Sequence, residues 1–488
     1  MRRLGVTAAL VLFALAGPVA AATIVGKPGT ATIVGTAKAD RIDSADGKKQ
    51  LVRCGAGRDL ALVDELDRTS GCETVVRRVA SDTTKGASGQ HRTLLEPQLA
   101  SSGSTVVGVY QSGRHELAGA DAIGYATSHD AGASWKTGLL PGVTALSPQP
   151  GRWESASNAS VAWDAKHGRW LVESAVLTDT EGGVLVSAST DGLAWQAPVT
   201  VFDLPRTGPT DAAFDKPWIV CDDSATSSRY GRCYVVVALA VTLPSAHLAV
   251  WSSDDGGATW QASPATLPAG NGAQPVVRPD GTLVVVYTDL TSPSYVESVR
   301  STDGGGSFAA PVRLAQTELG EHTPDGLRAP LFPSVAVAPD GSVVATWPDC
   351  SATSNCLKSD LVLARSVDGS SWSTPARLPL GASGDDLSPG LAVDSASGRL
   401  AVAYLVSEVS RCCRLDVRVA VQNAGGAWTI VQANVRAMQS SWTASSPGAF
   451  LGDYLSVTWS GGHPVALLPI AFPRSAGSRR QDLFAFRG

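Results

Sequence analysis

The sequence predicts an all-β protein built from repeated units of four strands. A short turn motif recurs along the chain, a second set of polar turns interleaves with it, and the segments between turns are short runs rich in Val and Ala. The chain has 488 residues, of which 44% are hydrophobic and 17% charged. That composition is typical of a globular protein long enough to bury several layers of core.

The charge pattern argues against two classes of partner. The formal net charge is −5, and the 44 acidic and 39 basic side chains are scattered rather than grouped in blocks. A protein that binds nucleic acid or an anionic membrane surface usually has a concentrated basic patch. We therefore expect no nucleic-acid partner.

Residues 1–22 have the pattern of a signal peptide. Arg2 and Arg3 precede an apolar run that ends at Ala16, and small residues follow as far as Ala22. The run is too short to span a bilayer comfortably, and no later stretch reaches about 18 uninterrupted apolar residues. We expect a secreted, extracellular protein without a transmembrane segment.

Residues 23–79 are predicted to form a small β-rich unit closed by a disulfide, followed by a polar linker at 80–91. The segments 35–42 and 55–60 resemble worn copies of the calcium-binding nonapeptide of repeat-in-toxin proteins, which implies a β-roll with Asp40 and Asp59 as calcium ligands. Lys48 and Lys49 place cations where ligands would be needed, so a metal-free β-roll is the alternative. No cofactor is required, and calcium is the one candidate.

The cysteines are expected to form disulfides, because their number is even in an exported chain. Close spacing pairs Cys54 with Cys72 and Cys221 with Cys233. The other four, in two loops of adjacent repeats, allow two pairings: Cys350, Cys356, Cys412 and Cys413. We favour bridges between the loops, because a disulfide between neighbouring residues closes a strained eight-membered ring.

The recurring turn has the form Ser-x-Asp-x-Gly-x-Ser/Thr-aromatic. Its aspartate accepts hydrogen bonds from its own turn, its glycine supplies a positive φ, and its aromatic ring covers the turn. A sixth copy, ending at Trp428, lacks the acid. Five copies retain the aspartate, which we expect to be structural: Asp130, Asp191, Asp255, Asp303 and Asp368.

This turn is identified as the Asp-box, or bacterial neuraminidase repeat, and residues 92–488 resemble the sialidase-like β-propeller superfamily. The interleaved polar turns recur every 54–66 residues and number seven, which favours seven four-stranded blades. Six blades are the alternative, as in the sialidase enzymes. The last repeat has three readable strands, and we expect Arg92 to Leu95 to supply the fourth and close the ring.

Strand alternation places the Asp-box turns on one face of the propeller and the candidate ligand groups on the other. The resemblance implies an arginine clamp for a carboxylate, a tyrosine nucleophile and an aspartate acid and base. The Arg-Ile-Pro signature of the first clamp arginine is missing. The candidate ligand-binding residues are Arg152, Arg206, Arg328 and Arg474. The candidate catalytic residues are Asp215 and, in a Gly-Asp-Tyr segment, Asp453 and Tyr454.

Three functions follow from this interpretation. The first is the binding of a carbohydrate or a cell-surface ligand on the face opposite the Asp-boxes, without turnover. The second is an exo-α-sialidase type of glycoside hydrolase. The third is a structural or attachment protein with a calcium-binding head. The fold alone does not choose among them, because propellers host unrelated activities.

Overall fold

The computed structural model describes residues 22–26, 30–208, 213–240, 246–320, 326–351, 354–381, 384–408, 413–475 and 478–488. Apart from Ala22, the predicted signal peptide lies outside these residues. Within them the secondary structure is strand and turn, with two short 3-10 turns at Ser354–Cys356 and Ser440–Trp442. No helix in the described part of the chain is long and apolar enough to cross a membrane.

The N-terminal part is a flattened parallel solenoid, the arrangement of a β-roll. It contains β1 (Thr23–Val25), β2 (Thr32–Val34), β3 (Arg41–Asp43), β4 (Leu51–Arg53), β5 (Leu60–Val63), β6 (Arg68–Ser70) and β7 (Thr74–Ala80). The odd-numbered strands pair in parallel in one sheet and the even-numbered strands in another. Ile33, Ile42 and Val52 are buried between the two sheets.

The following strands form antiparallel units of four, in which each strand pairs with its neighbour in the chain. Unit 1 consists of β8 (Leu94–Ser102), β9 (Thr105–Arg114), β10 (Ala120–Ser128) and β11 (Lys136–Leu139). Unit 2 consists of β12 (Ser155–Asp164), β13 (Arg169–Leu177), β14 (Glu181–Ser189) and β15 (Val199–Pro205). Unit 3 consists of β16 (Phe214–Cys221), β17 (Cys233–Leu239), β18 (His247–Ser253) and β19 (Gln261–Ala262). Unit 4 consists of β20 (Asn271–Val277), β21 (Leu283–Thr288), β22 (Ser294–Ser301) and β23 (Val312–Thr317).

The remaining strands continue the pattern. Unit 5 consists of β24 (Ser334–Val337), β25 (Val343–Asp349), β26 (Asp360–Ser366) and β27 (Ala376–Arg377). Unit 6 consists of β28 (Asp385–Val393), β29 (Leu400–Ser407), β30 (Arg414–Gln422) and β31 (Trp428–Gln432). Three two-residue strands follow: β32 (Met438–Gln439), β33 (Ala444–Ser445) and β34 (Ala449–Phe450). The last three strands are β35 (Ser456–Ser460), β36 (His463–Ala471) and β37 (Gln481–Arg487).

The fourth strand of the last unit is β7. The expected segment, Arg92 to Leu95, is not that strand and contributes only an isolated bridge to β37, between Thr93 and Gln481. β7 pairs antiparallel with β37, with Val76 opposite Phe486. Leu94 instead begins the innermost strand of unit 1 and pairs with β9. One continuous sheet therefore runs from the roll into the ring, in the order β1-β3-β5-β7-β37-β36-β35.

The innermost strands meet in a closed ring, which is the β-propeller architecture. β8, β12, β16, β20, β24, β28 and β35 contact one another in that order, and β35 contacts β8. Side chains reinforce several of these contacts: the Val161 amide donates to Gln98 Oε1 at 2.6 Å. The ring closes where the Leu99 amide donates to Ser456 Oγ at 2.9 Å.

The Asp-box turns hold themselves through their own side chains. In the third unit, Ser253 Oγ donates to Asp255 Oδ1 at 2.8 Å, and the Thr259 amide donates to the same oxygen at 2.9 Å. Trp260 Nε1 donates to the Gly257 carbonyl at 3.2 Å. Burial opposes the ionised form, but the hydrogen bonds from Thr259 and Ser253 prevail and lower the pKa of Asp255 to about 2. The carboxylates of the four other copies accept equivalent bonds: Asp130, Asp191, Asp303 and Asp368.

Three disulfides are described: Cys54–Cys72, Cys221–Cys233 and Cys350–Cys356. The third contradicts the expected bridges between loops. The loop between β25 and β26 turns back through a 3-10 turn, which brings the Cα atoms of Cys350 and Cys356 to 4.7 Å. Cys413 is also disulfide-bonded, and Cys412 lies outside the described residues.

Candidate functional site

The inner strands of several units carry a β-bulge at the same place. The bulge residues have a left-handed backbone: φ is 49° at Glu96, 48° at Asn158, 47° at Lys216, 62° at Gly272 and 49° at Ser388. This conformation is costly for residues other than glycine. Such strain is common at functional sites, where a bulge redirects a side chain.

The redirected side chains of units 1, 2 and 3 meet in a buried ionic network. The Lys216 ammonium lies 2.9 Å from Glu96 Oε1 and 2.7 Å from Asp453 Oδ2, and it donates to Asn158 Oδ1 at 2.8 Å. Lys216 is 4% exposed. Arg328 binds both oxygens of Asp453, with Nε 2.7 Å from Oδ1 and Nη2 2.5 Å from Oδ2. Each buried charge in the network thus has an opposite charge in contact.

The electrostatics keep Lys216 and Asp453 ionised. Burial alone would lower the pKa of Lys216, but Asp453, Glu96 and Asp215 raise it above its usual value. Burial alone would raise the pKa of Asp453, but Lys216 and Arg328 hold it well below its usual range. Lys216 and Asp453 are therefore charged at neutral pH.

Arg114, at the end of β9, is a second buried cation beside this network. It is 4% exposed, and it donates to Gln111 Oε1 at 2.9 Å and to Ser446 Oγ at 2.5 Å. Its Nε has no hydrogen-bond partner. Burial lowers the pKa of Arg114, and the negative charge of Glu96 partly compensates. One N–H of the guanidinium, on the buried Nε, is therefore without an acceptor.

These groups border a cavity of about 350 Å³. Most of the polar groups come from the ends of β9 and β12 and from the segments that join units 2 to 3 and 4 to 5. The Asp-box turns join the third and fourth strands of their units, so the cavity opens on the opposite face. It is lined by Glu96, Arg114, Leu117, Ala118, Gly119, Ser157, Asn158, Ala175, Leu177, Arg206, Phe214, Asp215, Lys216 and Arg328.

Two amide side chains orient the carboxylate of Asp215 in the cavity. Its Oδ1 accepts a hydrogen bond from Asn158 Nδ2 at 3.1 Å, and its Oδ2 accepts one from Asn271 Nδ2 at 3.1 Å. The Lys216 backbone amide donates to Oδ1 at 2.9 Å. The carboxylate is held in a defined orientation at the wall of the cavity.

Three of the residues singled out in the sequence line this cavity, namely Asp215, Arg206 and Arg328. Asp453 contacts Arg328 and Lys216 and is buried. Tyr454, the remaining predicted catalytic residue, is not among the residues that line the cavity.

Tyr454 lies in the interior of the ring. It is 4% exposed, its hydroxyl lies 3.5 Å from the Ala159 carbonyl oxygen, and its ring meets Trp218 edge-on with the centroids 5.1 Å apart. Burial, followed by the negative charge of Glu96, raises the pKa of Tyr454 well above its usual value. These contacts do not place its hydroxyl at the cavity as a nucleophile.

Two predicted ligand-binding arginines lie away from the cavity. Arg152 pairs with Glu181, lies 3.3 Å from Asp203 and stacks 4.0 Å over the Trp153 ring. Arg474 is exposed and is not a lining residue.

Sequence reasoning missed Glu96, Asn158 and the unpartnered Nε of Arg114. The signal that could have found the bulges is a recurring proline. A proline follows the bulge residue at Glu96, Lys216 and Ser388. Proline within a strand pattern marks a bulge or an interruption of the ladder.

In the roll, the candidate calcium ligands bind backbone amides. Asp40 Oδ2 accepts from the Thr36 amide at 2.5 Å, and Asp59 Oδ1 accepts from the Asp40 amide at 2.7 Å. Asp59 Oδ2 is buried without a partner. One spare carboxylate oxygen falls short of the six to eight oxygen ligands of a calcium ion. These two side chains therefore do not by themselves form a calcium site, and calcium binding stays a prediction.

Across the described ranges, the one cluster of three side chains with metal-ligand atoms within 4.8 Å of one another is Glu318, Cys350 and Cys356. The two cysteines are joined in a disulfide, so they offer no thiolate to a metal.

No protein-family model matches the sequence, and no curated protein matches it. Three solved structures illustrate what the fold is similar to. A protein of unknown function from Dyadobacter fermentans is 16% identical, with a TM-score of 0.44, over 68% of this chain and 94% of its own. A Hadza microbial sialidase is 16% identical, with a TM-score of 0.46, over 66% of this chain and 64% of its own.

The third structure is the intramolecular trans-sialidase of Ruminococcus gnavus in complex with oseltamivir carboxylate. It is 12% identical, with a TM-score of 0.42, over 84% of this chain and 97% of its own. At these identities no residue role is carried from them to this chain.

Proposed function

We propose that this protein is an exported carbohydrate-binding propeller that holds its ligand in the central cavity, opposite the Asp-box turns, without cleaving it. The observation that carries the proposal is that two predicted catalytic groups are engaged in the fold. Asp453 is bound by Lys216 and Arg328, and Tyr454 lies in the interior. The cavity itself offers carboxylate, amide and guanidinium groups beside apolar Leu177 and Phe214. That mixture suits a sugar, which has both hydroxyl groups and apolar ring faces.

The charges favour a sugar that bears an acid group. Arg114 is buried beside the cavity, donates to neutral groups and keeps Nε without an acceptor. A guanidinium in this state matches a carboxylate, which accepts two parallel N–H bonds. The cations at the cavity also outnumber the anions: Arg114, Arg206, Lys216 and Arg328 against Glu96, Asp215 and Asp453.

Calorimetry with glucuronic acid and with a sialoside tests this proposal. We expect one of the two to bind, and we expect Arg114→Gln to weaken its binding about tenfold or more, because a charged hydrogen bond is lost. Arg474→Gln is the matched control, since Arg474 is an exposed arginine away from the cavity. Failure of both ligands to bind, or equal loss in both variants, would contradict the proposal.

An exo-α-sialidase is the second candidate, because one observation favours it. Arg114, Arg206 and Arg328 come from three separate segments and line one cavity that also contains Asp215. A fluorogenic sialoside assay discriminates between the two functions. Turnover that is lost in Asp215→Asn would establish the hydrolase and overturn binding without cleavage. If Tyr454→Phe retained that turnover, the hydrolase would work without Tyr454.

A further inference from the structure

The bulge of unit 4 contains the one Asn-Gly dipeptide in the sequence, Asn271-Gly272. This dipeptide is prone to spontaneous deamidation, because the glycine nitrogen can attack the asparagine side chain without hindrance from a side chain of its own. β20 pairs with β21 at Asn271 and again from Gln274, so Gly272 has no partner residue in the ladder. The direction of the Gly272 amide is therefore set by the bulge rather than by regular strand pairing.

The Gly272 amide is directed at the side chain that it would attack. It donates a hydrogen bond to Asn271 Oδ1 at 2.7 Å, and Oδ1 is bonded to Cγ, the carbon under attack. The fold therefore holds the nitrogen next to its target, whereas a flexible chain reaches this arrangement only in some of its conformations. Asn271 is half-buried, so water can reach the products of the attack.

Packing requires the glycine at this position. A Cβ atom at residue 272 would lie 2.1 Å from Cδ1 of Phe332, far inside van der Waals contact. The φ of 62° adds a second cost for any residue with a side chain. Asn271, in turn, orients the Asp215 carboxylate through its Nδ2. The reactive dipeptide thus follows from two separate requirements of the fold.

The bulges of units 2 and 3 provide a contrast. In unit 3, the Lys216 amide donates to Asp215 Oδ1 in the same way, at 2.9 Å, but a carboxylate has no ammonia to lose. In unit 2, Asn158 is followed by alanine, and its Oδ1 accepts a hydrogen bond from Lys216 Nζ at 2.8 Å. Of these three bulges, the one in unit 4 brings an amide side chain and a glycine nitrogen together.

We propose that Asn271 is a site of spontaneous deamidation, which replaces the amide that orients Asp215 with a carboxylate and so changes the charge of the central cavity as the protein ages. The Gly272 nitrogen loses its proton to solvent and forms a bond to Cγ. The bond from Cγ to Nδ2 breaks, and Nδ2 takes up a proton and leaves as ammonia. Water then opens the cyclic imide at either carbonyl, which gives aspartate or isoaspartate. The inference goes beyond the proposed function, because the reaction needs no ligand.

Both products place a negative charge beside Asp215. At present Asn271 Nδ2 donates to Asp215 Oδ2 at 3.1 Å. A carboxylate at residue 271 loses that hydrogen bond and faces a like charge instead. Asn158 Nδ2 and the Lys216 amide still bind the other oxygen of Asp215. We therefore expect the Asp215 carboxylate to turn about that remaining attachment, and the cavity to become less favourable for an acidic ligand.

Incubation of the purified protein in mildly alkaline buffer, followed by acidic digestion and peptide mapping by mass spectrometry, tests the reaction. We expect the Asn271 peptide to gain the mass that replaces an amide by a carboxyl and to become a substrate of an isoaspartyl methyltransferase. The protein unfolded in urea is the reference, and the native rate should lie within about tenfold of its rate. Asn158 and the exposed Asn423 are internal controls that should remain intact in the native protein.

Two variants separate the reaction from its consequence. Asn271→Gln should remain intact, because the longer side chain closes the corresponding six-membered ring far more slowly. Asn271→Asp reproduces one product and should lower Tm more than Asn423→Asp, in which the new carboxylate is exposed. Glucuronic acid or the sialoside, whichever binds the wild type, should bind Asn271→Asp about tenfold more weakly than Asn423→Asp.

The outcomes distinguish this inference from the proposed function. If Asn271 stays intact in the native protein while the urea-unfolded protein is deamidated, the inference is wrong. It is also wrong if Asn158 or Asn423 reacts as fast as Asn271, or if Asn271→Asp and Asn423→Asp have the same Tm. If Asn271 is deamidated and neither sugar binds the wild type, the modification site stands and the proposal of an acidic-sugar site is overturned.

Discussion

Replacing Asp453 by asparagine tests whether the buried network is as tightly paired as its geometry indicates. The substitution removes one negative charge at nearly constant volume. Lys216 then keeps Glu96 as its carboxylate partner, whereas Arg328 loses both of its charged hydrogen bonds to Asp453. The perturbation therefore leaves the half-buried guanidinium of Arg328 without the carboxylate that it binds through two nitrogens.

The expected cost can be worked out from that loss. Breaking a buried ion pair by removing one partner costs about 3–5 kcal/mol. An unfolding entropy of about 2.1 cal/mol/K per residue, over roughly 450 residues, gives about 1 kcal/mol per degree, so Tm should fall by about 3–5 °C. Asp203→Asn is the control, because it removes a carboxylate from an exposed contact with Arg152. Exposed pairs contribute about 0–1 kcal/mol, so Tm should change by about 1 °C or less.

The pH dependence of Tm provides a second test of the same substitution. Because its neighbours lower the pKa of Asp453 in the folded protein, its ionised form stabilises the fold at every pH above the unfolded pKa of about 3.9. That stabilisation is lost as pH falls from there toward the folded pKa. Differential scanning calorimetry should show a constant gap in Tm between the wild type and Asp453→Asn from about pH 8 to 5, and a narrowing gap toward about pH 3. A gap no larger than that of Asp203→Asn, or one that does not narrow in acid, would refute the reasoning.

Three further predictions concern the fold. Val76→Asp places a carboxylate between β5 and β37 and should lower Tm by about 4 °C or more, whereas Thr23→Asp on exposed strand β1 should change it little in the same thermal scan. Replacing Cys54 and Cys72 by serine opens a link across 18 residues and should cost about 3 kcal/mol, measured by urea unfolding. Asp255→Asn weakens one Asp-box turn and should cost about 1 kcal/mol, seen as faster amide exchange confined to that turn. If Tm, the free energy of unfolding or the amide exchange rate is unchanged in one of these variants, the interaction removed by that variant does not stabilise the fold as argued.

The parts of the fold that could be predicted from sequence depend on local interactions. Asp255 reaches Thr259 four residues away, so the chemistry of the turn is readable in a short window. The partner of β37 could not be read in this way. Val76 and Phe486 pair although they are far apart in the sequence. The sequence pattern of β7 is equally compatible with a strand that pairs only with β5 in the roll.

The candidate site was predictable where its residues lie between units or at the start of an inner strand. Arg206, Arg328 and Asp215 stand out as polar groups next to apolar strands, and all three line the cavity. Glu96 did not stand out, because its position depends on a bulge inside an apparently regular strand. Arg152, like Arg206, lies in a segment that joins two units, and only the fold shows that it pairs with Glu181 instead.

The sharing of β7 between the roll and the ring has a consequence for synthesis of the chain. On the ribosome, β7 emerges early and can join β5 at once, but its other edge stays unpaired until β37, Gln481–Arg487, has been made. Nascent chains therefore expose an unpaired strand edge, which favours pairing with other chains, until β37 has been made. A chain cut before β37 would leave that edge of β7 unpaired, so β37 is the strand that closes the sheet between the roll and the ring.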